Sequence, residues 1–233
     1  LIWTTRILGR TIGQNMELEK NPITRRLFRR LLKLNDKVGG LAFPKMKRVK
    51  QITTDHCGPA VIEELFSFLG IRVSQTAAVK TIRAQEKIKK VGLNVDDLAR
   101  ATKFLSKGTL TFWRKSNAKI TDINKAINKY KYPVGVEWQG VFHEFSDEDN
   151  GHYAVVTKID TEKDYMRIAD SFHAFAGVDR RFEISLFVKR WWDVNQVKVV
   201  GHTRPRNLKD TKMMFVITPK GETWPKKLGM AKY

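Results

Sequence analysis

Gln51-Ile52-Thr53-Thr54-Asp55-His56-Cys57-Gly58-Pro59-Ala60 holds the chain's one cysteine, and Val61-Ile62-Glu63-Glu64-Leu65-Phe66-Ser67-Phe68-Leu69-Gly70 follows it directly. Apolar residues at 61, 62, 65, 66, 68 and 69 predict a helix with one broad buried face, and Gly70 suits its C-terminal cap. Cys57 then stands at a helix N-terminus. Unpaired backbone N–H groups and the helix dipole there favour a thiolate over a thiol. A nucleophilic cysteine needs that setting, although a lone cysteine is more often just a small buried hydrophobe.

A nucleophile needs a base, and the base needs an orienting partner. Asn150-Gly151-His152-Tyr153-Ala154-Val155-Val156-Thr157-Lys158-Ile159 is a loop running into a β-branched strand, with His152 at its mouth. A polar spacer, Asp160 to Asp164, leads to a second strand, Tyr165-Met166-Arg167-Ile168-Ala169, which ends at Asp170. Paired as a hairpin, the two strands bring His152 beside Asp170, where a carboxylate holds the imidazole's tautomer and direction. Asp160 and Asp164 are poorer partners because they fall in the turn, and a strand-end Asp such as Asp170 can itself be a turn former. His56 rivals His152 by proximity, but a side chain adjacent in sequence usually points elsewhere. His143, His173 and His202 read as ordinary polar positions.

Gln51 ahead of Cys57-Gly58-Pro59-Ala60, then Gly151-His152-Tyr153 opening a strand, then Asp170, resembles the papain-like double-glycine peptidases that process bacteriocin leaders, with their stand-alone relatives. Gly92-Leu93-Asn94-Val95-Asp96-Asp97-Leu98 looks like that family's helix opening between Cys and His. Ile120 to Asn124 with Tyr132-Pro133-Val134-Gly135-Val136 looks like its helix, turn and strand. Ser185 to Trp192 looks like its short helix after the Asp. The resemblance spans residues 45–218. It implies a papain-like α+β fold, with the Cys helix in an N-terminal helical half and His and Asp on a C-terminal antiparallel sheet. It implies a thiol peptidase of peptides or proteins, with Cys57, His152 and Asp170 catalytic and Gln51 in the oxyanion hole. His56 is a departure, since relatives often carry Asp, Glu or an aromatic residue before the nucleophile.

The rest of the chain reads as α+β as well, with helices first and mostly antiparallel strands after. Ser74 to Lys90 reads as one polar helix, and Asn94 caps another that carries Leu98, Ala101, Thr102 and Leu105 before Gly108. Leu110 to Lys115 reads as an edge strand, Thr121 as a helix cap, and Pro133 to Trp138 as a strand with its Pro at the start. Phe142 to Asn150 is an acidic loop before His152. Residues 195–212 read as a basic loop and Met213 to Thr218 as the closing strand.

Two basic extensions flank the expected 45–218 peptidase domain. In residues 1–44, Asn21-Pro22 opens an amphipathic helix with Ile23, Leu27, Leu31 and Leu34 on one face and arginines on the other, which Gly39-Gly40 ends. The tail, residues 219–233, is basic and reads as extended. Lys plus Arg number 44 against 24 Asp plus Glu, a net charge of +20 over 233 residues. Such a field attracts nucleic acid, an anionic membrane surface or an acidic protein. Two readings compete with hydrolysis, and the charge favours the second. One is acyl transfer on the same fold. The other is a non-enzymatic structural or binding protein of a larger assembly that keeps a peptidase-like fold.

A single cysteine excludes an intrachain disulfide and suits a reducing compartment such as the cytoplasm. No apolar run approaches the ~20 residues of a membrane span, and no signal peptide is visible, although the chain begins at Leu1. Scattered histidines give no zinc spacing, and no Gly-rich phosphate loop occurs, so neither a metal nor a cofactor is expected.

Overall fold

The computed structural model describes residues 41–141, 151–197 and 206–233. The chain divides into two units. One, Leu41–Gly140 with Asp149–Tyr233, carries everything below. The other, Leu1–Gly40 with Val141–Glu148, lies outside the described residues except for Val141. The basic N-terminal helix, the Gly39-Gly40 stop and the acidic loop therefore lie outside them too.

Helix α1 spans Cys57–Phe68 and buries Val61, Ile62, Leu65 and Phe66. Gly70 takes φ +77° just beyond its cap, and Gly70 N donates to Ser67 O, as a C-terminal glycine should. The stretch expected as one helix after Ser74 is two, α2 (Gln75–Thr81) and α3 (Gln85–Val91). The break is at Arg83, whose φ of +54° no continuing helix tolerates. Helix α4 (Val95–Leu105) is closed by Asn94, which accepts from Asp97 N while Asp97 accepts from Asn94 N. Such a reciprocal cap is worth roughly 1 kcal/mol. Helices α1, α2 and α4 pack together through Phe66, Val79, Leu98 and Ala101, all within the main core cluster.

The remainder is β1 (Leu110–Lys115), α5 (Ile120–Asn124) continuing as a π-turn over Lys125–Lys129, β2 (Val134–Gln139), β3 (Gly151–Asp160), β4 (Tyr165–Ala169), β5 (Asp179–Glu183), α6 (Ile184–Arg190), β6 (Trp192–Val197), β7 (Arg206–Thr211), β8 (Met214–Pro219), α7 (Trp224–Lys227) and β9 (Ala231–Lys232). Thr121 does not cap α5. Asp122 does so by accepting from Lys119 N at 2.8 Å. Seven strands form one sheet in the order β5-β4-β3-β2-β8-β1-β9, and every recorded pairing is antiparallel. Helix α1 packs on β3. This is the papain-like α+β arrangement, helices against an antiparallel sheet.

Three sequence expectations change here. β1 is not an edge strand, because β9 pairs with it at Trp113 and Arg114. The tail is not extended. It turns back through α7, stacks Trp224 on Tyr130 at 4.5 Å and ties Leu228 O to Lys115 Nζ at 2.6 Å. The described ends of the basic stretch over 195–212 are not loop but strand, with β6 paired to β7 from Trp192↔Thr211 to Val197↔Arg206.

Candidate active site

Cys57 is the first residue of α1 and is half-buried. The close fit of α1 on β3 comes through Gly58, where an added Cβ would stand 2.9 Å from the Leu98 side chain and 3.4 Å from the Tyr153 ring. The register that places His152 is set by the β2–β3 ladder, Trp138↔His152. In the β3–β4 ladder Val155 faces Ala169. One residue further, Asp170 falls opposite Ala154 and so on the same face as His152. His152 Nε2 lies 2.9 Å from Asp170 Oδ1. The hairpin thus brings the predicted pair together.

The Asp170 carboxylate is fully enclosed and every contact on it is a donor. Oδ1 also accepts from Phe172 N at 3.0 Å, and Oδ2 from Arg180 Nη1 at 2.7 Å. Burial pushes its pKa up, but His152, Arg180 and Phe172 N–H outweigh burial and hold it well below the usual carboxylate range. His152 is the mirror case. Burial lowers its pKa, while the Asp170 charge and hydrogen bond, then the Cys57 hydrogen bond and charge, push it up to about 10. The Cys57 thiol is therefore close enough to act on the His152 charge.

Gln51 is buried and anchored. Its N donates to Ser171 O at 2.8 Å, its Oε1 accepts from Ser171 Oγ, and its Nε2 donates to Thr53 O and Thr54 O, both at 2.8 Å. It ties the loop leading to Cys57 onto the residue after Asp170. His56 Nδ1 is paired with Thr53 Oγ1 at 2.6 Å, and burial lowers its pKa against the pull of Asp55. It lines a separate cavity with Ile52, Val79 and Ile88. Asp160 accepts from Lys163 N within the hairpin turn, and Asp164 has φ +47° there. His173 is exposed against Phe172. His143 and His202 lie outside the described residues.

A cavity of about 330 Å³ opens beside Cys57, walled by Asp55, Leu93, Asn94, Gly151, Tyr153 and Asp193. Gly151 is required there, since a Cβ would meet Asp193 Oδ1 at 2.4 Å. Behind the wall sits Glu137. Its Oε1 accepts from Tyr153 Oη and from Asn195 Nδ2, and burial with the Asp193 charge raises its pKa to about 8.

Several buried charges are absent from the sequence reading. Arg48 pairs with Asp179 at 2.7 Å, Asp179 accepts from Thr157 Oγ1 at 2.6 Å, and Glu64 accepts from Val49 N at 3.1 Å. Thr157 sits at the register shift between Val156 and Lys158, which turns it toward Asp179. Arg180 was legible in principle. In Asp179-Arg180-Arg181-Phe182-Glu183, strand alternation from the apolar Phe182 puts Arg180 on the inward face.

The model of the Peptidase C39-like family matches residues 43–199, more than half of the chain. The chain belongs to this family. The matched C39-like span contains Gln51, Cys57, His152, Asp170 and Arg180. A solved structure with the same fold is the peptidase domain of Streptococcus ComA, a bifunctional ABC transporter involved in a quorum-sensing pathway. It is 19% identical, covers 76% of this chain and 99% of its own, and superposes with a TM-score of 0.53. No curated protein matches the chain. Among the described residues no helix is long and apolar enough to cross a membrane, and no group of three or more His, Cys, Asp or Glu could hold a metal ion.

Proposed function

We propose that the protein is a C39-like cysteine peptidase that cleaves an amide bond of a peptide or protein with Cys57 as nucleophile, His152 as base and acid, and Asp170 as the orienting group. One observation carries this reading. His152 is clamped through Nε2 to the buried Asp170 carboxylate, and the Cys57 thiol at the start of α1 is close enough to raise its pKa. In this scheme His152 takes the S–H proton. The thiolate adds to the substrate carbonyl carbon, forming C–S. His152 returns the proton to the leaving nitrogen as C–N breaks. Water, deprotonated by His152, then adds to the thioester carbon, and C–S breaks to give the acid product and the thiolate.

Charge on the carbonyl oxygen needs donors, each worth about 3 kcal/mol. Cys57 N–H, at the first helical position, has no intrahelical acceptor. Gln51 Nε2 is the second donor in this scheme. It joins by exchanging one of its carbonyl partners, Thr53 O or Thr54 O, for the oxyanion. The cavity beside Cys57 receives the substrate residue next to the scissile bond.

The test is iodoacetamide labelling of Cys57 across pH, in the intact chain and in His152→Ala. Labelling that persists well into acid and collapses in the variant supports a thiolate–imidazolium pair, and a peptide library then finds the cleaved sequence. Identical labelling in both proteins overturns the reading.

A further inference from the structure

We propose that Arg180 is a positioning residue of this site, acting through Asp170 to set the protonation of the Cys57–His152 pair; the inference rests on the peptidase reading above. The two oxygens of Asp170 are divided between two tasks. Oδ1 serves His152 and Phe172 N, and Oδ2 serves Arg180 Nη1 at 2.7 Å. The carboxylate cannot rotate to improve one bond without losing the other. Arg180 itself cannot swing away. Its guanidinium lies 3.5 Å from the Phe175 ring centroid and 4.8 Å from that of Phe182, and Phe182 packs edge-on against buried Trp138 at 5.2 Å.

Charge counting gives this clamp a chemical consequence. With Cys57 as thiolate and His152 as imidazolium, Asp170 and Arg180 complete an alternating set of two negative and two positive charges. Among the described residues, the charged groups nearby include Asp179, paired with Arg48, and Glu64 of α1, whose carboxyl burial pushes well above the ordinary range. Remove the Arg180 charge and the enclosed Asp170 carboxylate acts uncompensated on the thiol. Every acid near a deleted buried cation holds its proton to higher pH. Arg180 therefore lets Asp170 orient His152 without suppressing thiolate formation.

The experiment compares iodoacetamide labelling of Cys57 over pH 4–9 in the full chain and in Arg180→Met and Arg180→Lys. Met keeps the bulk between Phe175 and Phe182 and loses the charge, whereas Lys keeps the charge and loses the planar stack. The expected result is an acid limb that moves up by about one pH unit in Arg180→Met, a labelling rate about tenfold lower at any pH below the limb. The Lys variant keeps the limb within a few tenths of a unit. Should Arg180→Met not fold, Arg180→Gln supplies the same neutral comparison. A limb that stays put in the neutral variant, or moves equally in Lys, makes Arg180 a packing residue and overturns the proposal. Labelling of the unaltered protein that ignores His152→Ala sinks the peptidase reading first, and the role of Arg180 falls with it.

Discussion

Asp170 Oδ1 stands 2.9 Å from His152 Nε2, with 0% of the one side chain and 3% of the other exposed to solvent. Two charges share a site that water does not enter, so each fixes the protonation of the other. An unfolded imidazole titrates near 6.5, and here His152 is pushed up to about 10.

The native state therefore binds the His152 proton more tightly. Its stabilisation is fully present below about pH 6.5 and is lost as pH rises through about 10, at up to ~1.4 kcal/mol per pH unit. Asp170 works in the opposite window. Its carboxyl is depressed, so its contribution is present above about pH 4 and is lost as pH falls toward the native value. Asp170→Asn should flatten both slopes in urea unfolding between pH 3 and 10. Unchanged slopes would mean the pair is not ionised.

Glu64 gives a second pH signature with a different variant. Burial raises its carboxyl well above the ordinary 4.5, against Val49 N–H and Arg48, and its Oε2 has no hydrogen-bond partner among the described residues. A raised acid stabilises the fold below its unfolded pKa and loses that contribution as pH climbs through the native value. Glu64→Gln should match the parent in Tm near pH 5 and exceed it near pH 9. A variant less stable at every pH would show that Glu64 is ionised.

Gly151→Ala tests how tightly His152 is framed. The new Cβ meets both carboxylate oxygens of Asp193, at 2.4 and 2.6 Å, one residue before His152. Displacing the start of β3 by a few tenths of an ångström should slow Cys57 labelling about tenfold or more. Adding Asp193→Ala should restore part of the rate. No recovery in the double variant would locate the damage elsewhere.

Gly135→Ala is the matching test of the core. Its Cβ would fall 2.1 Å from the Phe215 ring, which is fully buried and stacked on Phe112 at 5.1 Å. The overpacking should cost about 3 kcal/mol in chemical unfolding, and Phe215→Leu on top should return some of it. A neutral Gly135→Ala would show that β2 and β8 slide apart freely.

The Cys57 helix and the His152–Asp170 hairpin were legible because each is local. Periodicity and a terminal glycine mark α1, and a polar turn between two apolar runs marks β3 and β4. The β6–β7 pairing and the returning tail were not: β6 and β7 lack a clear apolar alternation, and β9 is a two-residue strand whose partner, β1, lies far back in the chain. The α2–α3 break left no mark either. It turns on a positive φ at Arg83, where no glycine advertises it. The burial of Arg48, Glu64 and Asp179 left no mark, since a sequence does not announce which charge will find a buried partner, whereas strand alternation around Phe182 made Arg180 readable. The bonds of Gln51 to Thr53 O and Thr54 O were not legible either.

The candidate set is divided between two mechanical parts. The spacing of His152 and Asp170 is locked by main-chain rungs between neighbouring strands, whereas Cys57 rides on a helix that packs on those strands without such rungs among the described residues, its backbone at Gly58 lying close against the Tyr153 ring. A shear of α1 along β3 would open the sulfur–imidazole gap and leave the imidazole–carboxylate bond intact. Gentle heat, pressure or denaturant should accordingly silence the thiol while the sheet, and the charge pair it carries, still reads as native.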